Sequence, residues 1–321
     1  MKRRQAALAR NNWYQHCLAV IVIVVGVLPL GSGASPMHAK SSGTGIALRR
    51  HHLPMQLRQQ RDPTTAESFN WSGYGVLAAS GSVTDVKGSW VVPFVGNTCS
   101  SVPDGYAAFW TGIDGWTSST VEQIGTDSDC VNLDGTKTGT PTYYAWFEFY
   151  PLDAYLVGDY SENGVCRSDC VSPGDRISAE VRFGGGGPGG FRHHTGRQFT
   201  LTITDETRGW SFATSSSVPG ALQSSAEWIA EKPNGCPTPN GLCDLSDFGI
   251  VGFGRAFAPV FNLFTNSATV NGQTGPLGSF GTGVEQALLV NYPSGTTILA
   301  QPFKLQDGGT SFLDAWYNAG P

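Results

Sequence analysis

This 321-residue chain lacks most signatures of the common catalytic sites. It has no Gly-x-Ser-x-Gly, and after residue 67 its only histidines are the adjacent His193 and His194, so Ser-His-Asp catalysis finds little support. Asp-Thr-Gly and Asp-Ser-Gly are absent, which argues against a paired-aspartate site. No C-x2-C spacing occurs, which disfavours a zinc site built from thiols. "GGGGPGG" (184–190) lacks the Lys-Ser/Thr of a phosphate loop and reads as a flexible hairpin loop. Amphipathic helices of three or more turns are missing as well. Charged residues make up only 14% of the chain, and they are unevenly spread.

Residues 1–67 hold nine Lys/Arg against Asp62 and Glu67, whereas residues 68–321 hold eleven Lys/Arg against 23 Asp/Glu, a net charge of −12. That acidic segment has little with which to neutralise phosphates, so nucleic acid is not an expected partner. At the start, Lys2, Arg3, Arg4 and Arg10 precede "CLAVIVIVVGVLPLG" and the small residues "SGASPMHA". This is the layout of a secretory signal over 1–39, with cleavage after Ala34 or Ala39; a retained membrane anchor is the alternative. Residues 40–67, basic and without β-periodicity, read as a propeptide or as a basic leader with no inhibitory role. Residues 68–321 form the expected main domain. A secreted, monomeric product without stable membrane association follows from the first reading.

Cys17 falls in the signal, and Cys99, Cys130, Cys166, Cys170, Cys236 and Cys243 remain. Six cysteines allow fifteen pairings. Short loop closure favours Cys166 with Cys170 and Cys236 with Cys243, leaving Cys99 for Cys130. His51 and His52 in the leader, like His193 and His194, are adjacent on extended chain and so point to opposite faces; all four are expected at the surface.

From Phe69 onward, turns rich in Gly, Asn, Asp, Pro and Ser punctuate strand-like segments. In "QFTLTITD" Phe199, Leu201 and Ile203 alternate with threonines. In "YYAWFEFYP" Tyr143, Ala145, Phe147 and Phe149 share one face, and Tyr144, Trp146, Glu148 and Tyr150 the other. The spacing predicts an all-β chain with two packed antiparallel sheets. Three segments set Trp beside a carboxylate: "FWTGIDG" (109–115), "AWFEFYP" (145–151) and "AEWIAE" (226–231). Glu227 and Glu231 would share one strand face, either solvated or lining an aromatic concavity that raises a carboxyl pKa.

These segments, with "NWSGYGV" (70–76), "GSWVVP" (88–93) and "EQIGTD" (122–127), resemble in order and spacing the motif series of the glutamic peptidases, the eqolisins. "CPTPNGLC" supplies a similar C-x6-C. The resemblance implies a jelly-roll, concanavalin A-like lectin/glucanase-type double-sheet sandwich and an acid endopeptidase acting on protein and peptide substrates. It implies no metal or cofactor, and a catalytic pair of Gln123 and Glu231. Trp71, Trp110, Asp114, Asp127, Glu148 and Tyr150 match residues that bind substrate or support that pair.

In that role Glu231 would act on water as base and then as acid, while Gln123 orients the water and donates to the oxyanion without adding a second negative charge. Pepstatin would then have no aspartate pair to block. Lys232 stands where the family usually has an acidic residue, and would depress the Glu231 pKa if it points inward. Tyr144 stands where an aspartate is common. The sequon Asn70-Trp71-Ser72 overlaps a site motif and is expected to be unmodified. A β-sandwich glycosidase using Glu148 and Glu231 is the alternative reading, with a non-catalytic lectin-like domain behind it. The leader cations Lys40, Arg49, Arg50, Arg58 and Arg61 would be drawn to the acidic domain until acid neutralises its carboxylates.

Overall fold

The computed structural model describes residues 46–96, 99–161, 164–184, 198–254 and 265–320. The expected signal, the glycine loop beyond Gly184, His193 and His194 lie outside these residues. Eighteen strands form one hydrogen-bonded network. In chain order they begin with β1 (Leu57–Asp62), β2 (Thr65–Ser68), β3 (Trp71–Leu77), β4 (Val83–Val91), β5 (Ala108–Ile113) and β6 (Val121–Val131). There follow β7 (Lys137–Tyr150), β8 (Tyr155–Val157), β9 (Arg176–Phe183), β10 (Phe199–Asp205), β11 (Trp210–Ser216) and β12 (Ser225–Glu231). The last six are β13 (Ile250–Phe253), β14 (Ser267–Val270), β15 (Gln273–Pro276), β16 (Val284–Val290), β17 (Ile298–Pro302) and β18 (Phe312–Trp316). Two short 3-10 turns are the only helical elements among the described residues.

The pairings resolve into two layers. The first runs β1-β2-β16-β3-β12-β5-β6-β7-β8, antiparallel except for the parallel pair β2–β16. The second runs β11-β10-β9-β4, continues through β14 and β13 to β18 and β17, and rejoins the first where β17 meets β16. The chain is thus the double-sheet sandwich that the alternating patterns predict, with one parallel join.

Its core is filled from both layers. Val86, Trp90, Ile177, Ala179, Val181, Phe199, Leu201 and Ile203 from the second sheet meet Tyr74, Val76, Phe109, Ile113, Ile124, Phe149 and Trp228 from the first. The threonines of β10 turn away from this core, and Thr200 and Thr204 hydrogen-bond Ser215 and Ser211 across to β11. On β7, Ala145 and Phe149 enter the core while Tyr144 and Trp146 join a second cluster on the outer face of the first sheet. Apolar burial on one side and an aromatic face on the other is what fixes the register, because a one-residue slip would exchange them. The disulfides are Cys99–Cys130, Cys166–Cys170 and Cys236–Cys243, as loop closure suggests.

The leader does not stay apart from this fold. β1 and β2 form a hairpin, and β2 hydrogen-bonds to β16, so the expected junction at 67/68 falls inside a strand of the sheet. β1 carries no alternation of its own, because its side chains are almost all exposed and its partner strand supplies the order. Arg58 and Arg61 both pair with buried Glu67 on β2.

Gly73 lies at the centre of the first sheet, opposite Ile229 on β12 and Ala287 on β16. Its φ is +142°, and a Cβ there would sit 2.1 Å from the Trp228 carbonyl oxygen. Backbone cannot yield as a side-chain tip can. Gly73→Ala is expected to cost about 2–3 kcal/mol through strain and overpacking, measured as a lowered Tm.

Candidate active site

Strand register gathers the predicted residues on the outer face of the first sheet. One row across the strands reads Trp71, Glu231, Ala108, Asp127, Tyr144. The next reads Ile229, Trp110, Gly125, Trp146, and a third Glu227, Gly112, Gln123, Glu148. Partners in a row point to the same side, so Gln123, Asp127, Glu148 and Glu231 converge on a floor of three tryptophans. Gly125 has a steric reason to lack a side chain: a Cβ would lie 2.6 Å from that of Trp110 and 2.4 Å from the Phe109 oxygen.

Glu231 is fully buried, and Trp110 Nε1 donates to its Oε2 at 2.7 Å. Asn70 Nδ2 approaches its Oε1 at 3.5 Å. Burial pushes its pKa well above the ordinary value against the indole hydrogen bond, and nearby Glu148 and Asp127 add to the rise. Gln123 adds no charge beside Glu231, but the carboxyls of Glu148 and Asp127 do, so Glu231 is not free of like-charge coupling. Lys232 does not offset them. It follows Glu231 on the opposite side of the chain, buried, and it is Asp244 that favours its charge.

Glu148 is pushed up to about 7 by burial, although contacts from His51, the His52 backbone and Gln123 favour its ionised form. The Tyr144 hydroxyl lies 2.8 Å from Asp127 Oδ2 and 2.7 Å from Asp129 Oδ2. It has one proton for two carboxyls, so one of the two must itself be protonated to complete the pair of bonds. Burial raises both aspartates accordingly, Asp129 to about 7. Tyr144, an unusual residue for the motif, thus makes a proton-sharing triad.

Asp114 does not reach this cluster. Its φ is +71°, and its carboxylate accepts from the backbone N–H groups of Leu222, Gln223 and Ser224, fixing the turn that leads into β12. Tyr150 stands at the rim, its ring 6.4 Å from that of His51. Asn70 is fully buried, as an unmodified sequon would be.

The leader lies across this face and overturns the surface placement of His52, while His51 keeps 33% of its side chain exposed at the edge. His52 is fully buried, its ring stacked on Trp146 at 3.5 Å with an interplanar angle of 8°. Its Nδ1 is 3.6 Å from Glu231 Oε2 and its Nε2 is 4.0 Å from Asp127 Oδ1. His51 turns the other way, as alternation requires, with Nδ1 2.9 Å from Glu148 Oε1. Gln123 Nε2 donates to the His52 carbonyl at 2.5 Å and to Glu148 Oε2 at 3.1 Å. Gln123 Oε1 is buried without a hydrogen-bond partner.

Ile46 and Leu48 hydrogen-bond to Leu156 and Ala154, Asn234 N donates to the His51 carbonyl, and Met55 N donates to Gly115. Arg50 stacks over Tyr106, 3.6 Å from the ring centroid, and hydrogen-bonds its hydroxyl. Histidine beside basic residues carries no sign of burial in its own sequence; the aromatic floor that buries His52 lies about a hundred residues away.

Residues 69–274 match the sequence profile of the peptidase A4 family. The chain belongs to that family, the eqolisins. It is 30% identical over 216 residues to aspergillopepsin-2 of Aspergillus niger, an alignment covering 61% of this chain and 66% of that relative. Among solved structures, scytalido-glutamic peptidase with a transition-state analogue inhibitor superposes with a TM-score of 0.54 at 21% identity, covering 77% of this chain and 98% of the other. SCP-B, a member of the eqolisin family, gives a TM-score of 0.52 at 21% identity over the same shares. These likenesses support the sandwich fold of this eqolisin chain.

Raised carboxyl pKa values make this eqolisin's stability depend on pH with a definite sign. A carboxyl raised in the folded state contributes stability that is present below its unfolded pKa and lost as pH climbs to the folded value. Glu148 and Asp129 at about 7 and Asp314 at about 8 place that loss between about pH 4 and 8. Tm is expected to fall by more than about 5 °C across this window. Asp314→Asn should flatten its upper half, because an amide can still accept the Ser72 hydroxyl bond made now at 2.8 Å.

Proposed function

We propose that this chain is a secreted zymogen whose mature form is an acid endopeptidase using Glu231 and Gln123. The observation that carries the reading is an extended peptide, residues 46–56, lying on the Trp-lined face with a backbone carbonyl held by the Gln123 amide. Membership of the peptidase A4 family supports peptide hydrolysis over the glycosidase alternative, and so does a peptide rather than an open sugar cleft on Glu148 and Glu231.

The chemistry follows from donor and acceptor positions. Glu231, held by the Trp110 indole, takes a proton from water as the hydroxide adds to the substrate carbonyl carbon. Gln123 Nε2 donates to the oxygen that gains charge, and Gln123 Oε1 is left to accept from the water. Glu231 then passes its proton to the departing nitrogen.

With the leader in place Glu231 is desolvated and its pKa raised, which disfavours the ionised base as well as covering it. Departure of the leader rehydrates the face and lowers the pKa of Glu231 toward its ordinary range, restoring the ionised base in acid.

Latency rests on local contacts more than on long-range charge. Arg58 and Arg61 pair with Glu67 within the hairpin, and Lys40 lies outside the described residues. His51 and Glu148 form the ion pair nearest the catalytic pair. The Glu148 contact raises the pKa of His51, so the pair is strongest near neutrality and is lost when Glu148 protonates in acid.

Gln123→Ala and Glu231→Gln should each reduce acid digestion of casein by about 10²-fold or more with folding intact by circular dichroism; activity within about threefold of wild type in either would overturn the pair. His51→Ala in the full chain should raise activity measured near pH 7, where the pair is strongest, without prior acid treatment by about fivefold. Unchanged latency would show that His51 does not hold the leader.

A further inference from the structure

The leader crosses the site in one defined direction, and its carbonyls are held one after another. The His51 carbonyl accepts from Asn234 N at 3.0 Å and the His52 carbonyl from Gln123 Nε2 at 2.5 Å. Leu53 O accepts from both Trp71 Nε1 at 3.0 Å and Asn70 Nδ2 at 3.1 Å, and Pro54 O accepts from Asn70 Nδ2 at 3.2 Å. The His52 N–H donates to Glu148 Oε2 at 2.9 Å. A mere plug has no need of such backbone alignment. Among the contacts of this stretch, only the His52 carbonyl meets Gln123, and it does so beside Glu231.

The His52 ring sits in a slot of definite shape. Trp146 forms one flat wall at stacking distance, and Glu231 and Asp127 close the edges toward Nδ1 and Nε2. Neither ring nitrogen makes a hydrogen bond. The slot therefore rewards flatness and π-stacking more than one donor pattern. An aliphatic side chain would lose the stack.

We infer that the His52–Leu53 bond is the one this enzyme hydrolyses in its own chain, and that the slot of Trp146, Asp127 and Glu231 selects a planar aromatic or heteroaromatic side chain immediately before the cleaved bond. The inference rests on the Gln123/Glu231 reading and extends it to substrate choice and processing site. In the reaction, water adds across the peptide bond. Its hydroxyl joins the His52 carbonyl carbon, the C–N bond breaks, and its remaining proton completes the Leu53 amine.

The break divides the leader at a mechanically sensible place. Upstream, residues 46–52 are held by Leu156, Ala154, Asn234, Tyr106 and the His51–Glu148 pair. Downstream, Gln56 bonds to Asn70 and Phe69, and the β1–β2 hairpin is part of the sheet. The upstream piece can leave, while the new terminus stays attached.

The test uses the full chain after incubation at about pH 4. N-terminal sequencing is expected to find Leu53 at the start of the processed protein. A synthetic peptide of residues 46–57, added to that enzyme, should be cut once, after His52. His52→Phe and His52→Trp peptides should keep kcat/KM, whereas His52→Ala and His52→Leu peptides should lose about tenfold. Trp146→Ala enzyme should bring the His and Ala peptides to within about threefold of each other, since the wall that separates them is gone.

Digestion of casein with the peptide uncut, or cut at another bond, would overturn the processing site. An Ala peptide cleaved as fast as the His peptide would overturn the slot. Failure to digest casein, or an unaffected Gln123→Ala enzyme, would instead remove the catalytic pair on which both rest.

Discussion

The outer face of the first sheet holds Glu231, Asp127, Asp129 and Glu148 out of water, and the rest of the site follows from how that is tolerated. Isolated buried carboxylates are too costly to remain charged, so each group either takes up a proton or finds donors. Trp110 answers for Glu231, and the Tyr144 hydroxyl is divided between the two aspartates. For Glu148 the donors come from Gln123 and from the leader itself. The leader is therefore not an addition to a finished site. It completes the hydrogen bonding of the closed form, and its loss exchanges protein donors for solvent.

This arrangement ties stability, and in the proposed mechanism activity, to the same acid range. The protons that make the folded state comfortable are those that remove the His51–Glu148 attraction. Near neutral pH the chain is both closed and increasingly burdened by buried charge. In acid the buried carboxyls are protonated and the His51–Glu148 attraction is gone, which in the proposed mechanism lets the leader open. In the proposed mechanism a single set of carboxyls thus couples folding, latency and catalysis.

Much of this was readable in the sequence because β-structure writes itself in period two. The two faces of 143–150 and the core positions of 199–203 follow from alternation alone, and the resemblance of the motif series singles out Gln123 and Glu231 as a pair. The burial of His52 was not readable. Its environment is built from Trp146, Glu231 and Asp127, which come from three separate strands, and nothing adjacent to "HH" encodes them. Asp114 shows the converse. It sits in a site motif, yet its work is to fasten the backbone of 222–224. Motif membership marks proximity in sequence, whereas the register of β5, β6 and β12 decides which side chains meet.

The parallel pairing of β2 with β16 has a consequence for how firmly the leader must bind. Because the hairpin anchors the leader covalently a few residues from the site, its local concentration there is of the order of millimolar or more. Contacts too weak to retain a free peptide then suffice to keep the site filled. A cut within the leader, as proposed, would dilute the upstream fragment into bulk solvent, where the same contacts would no longer hold it. On that reading opening would be reversible while the leader is tethered, and a one-way event once the tether is broken.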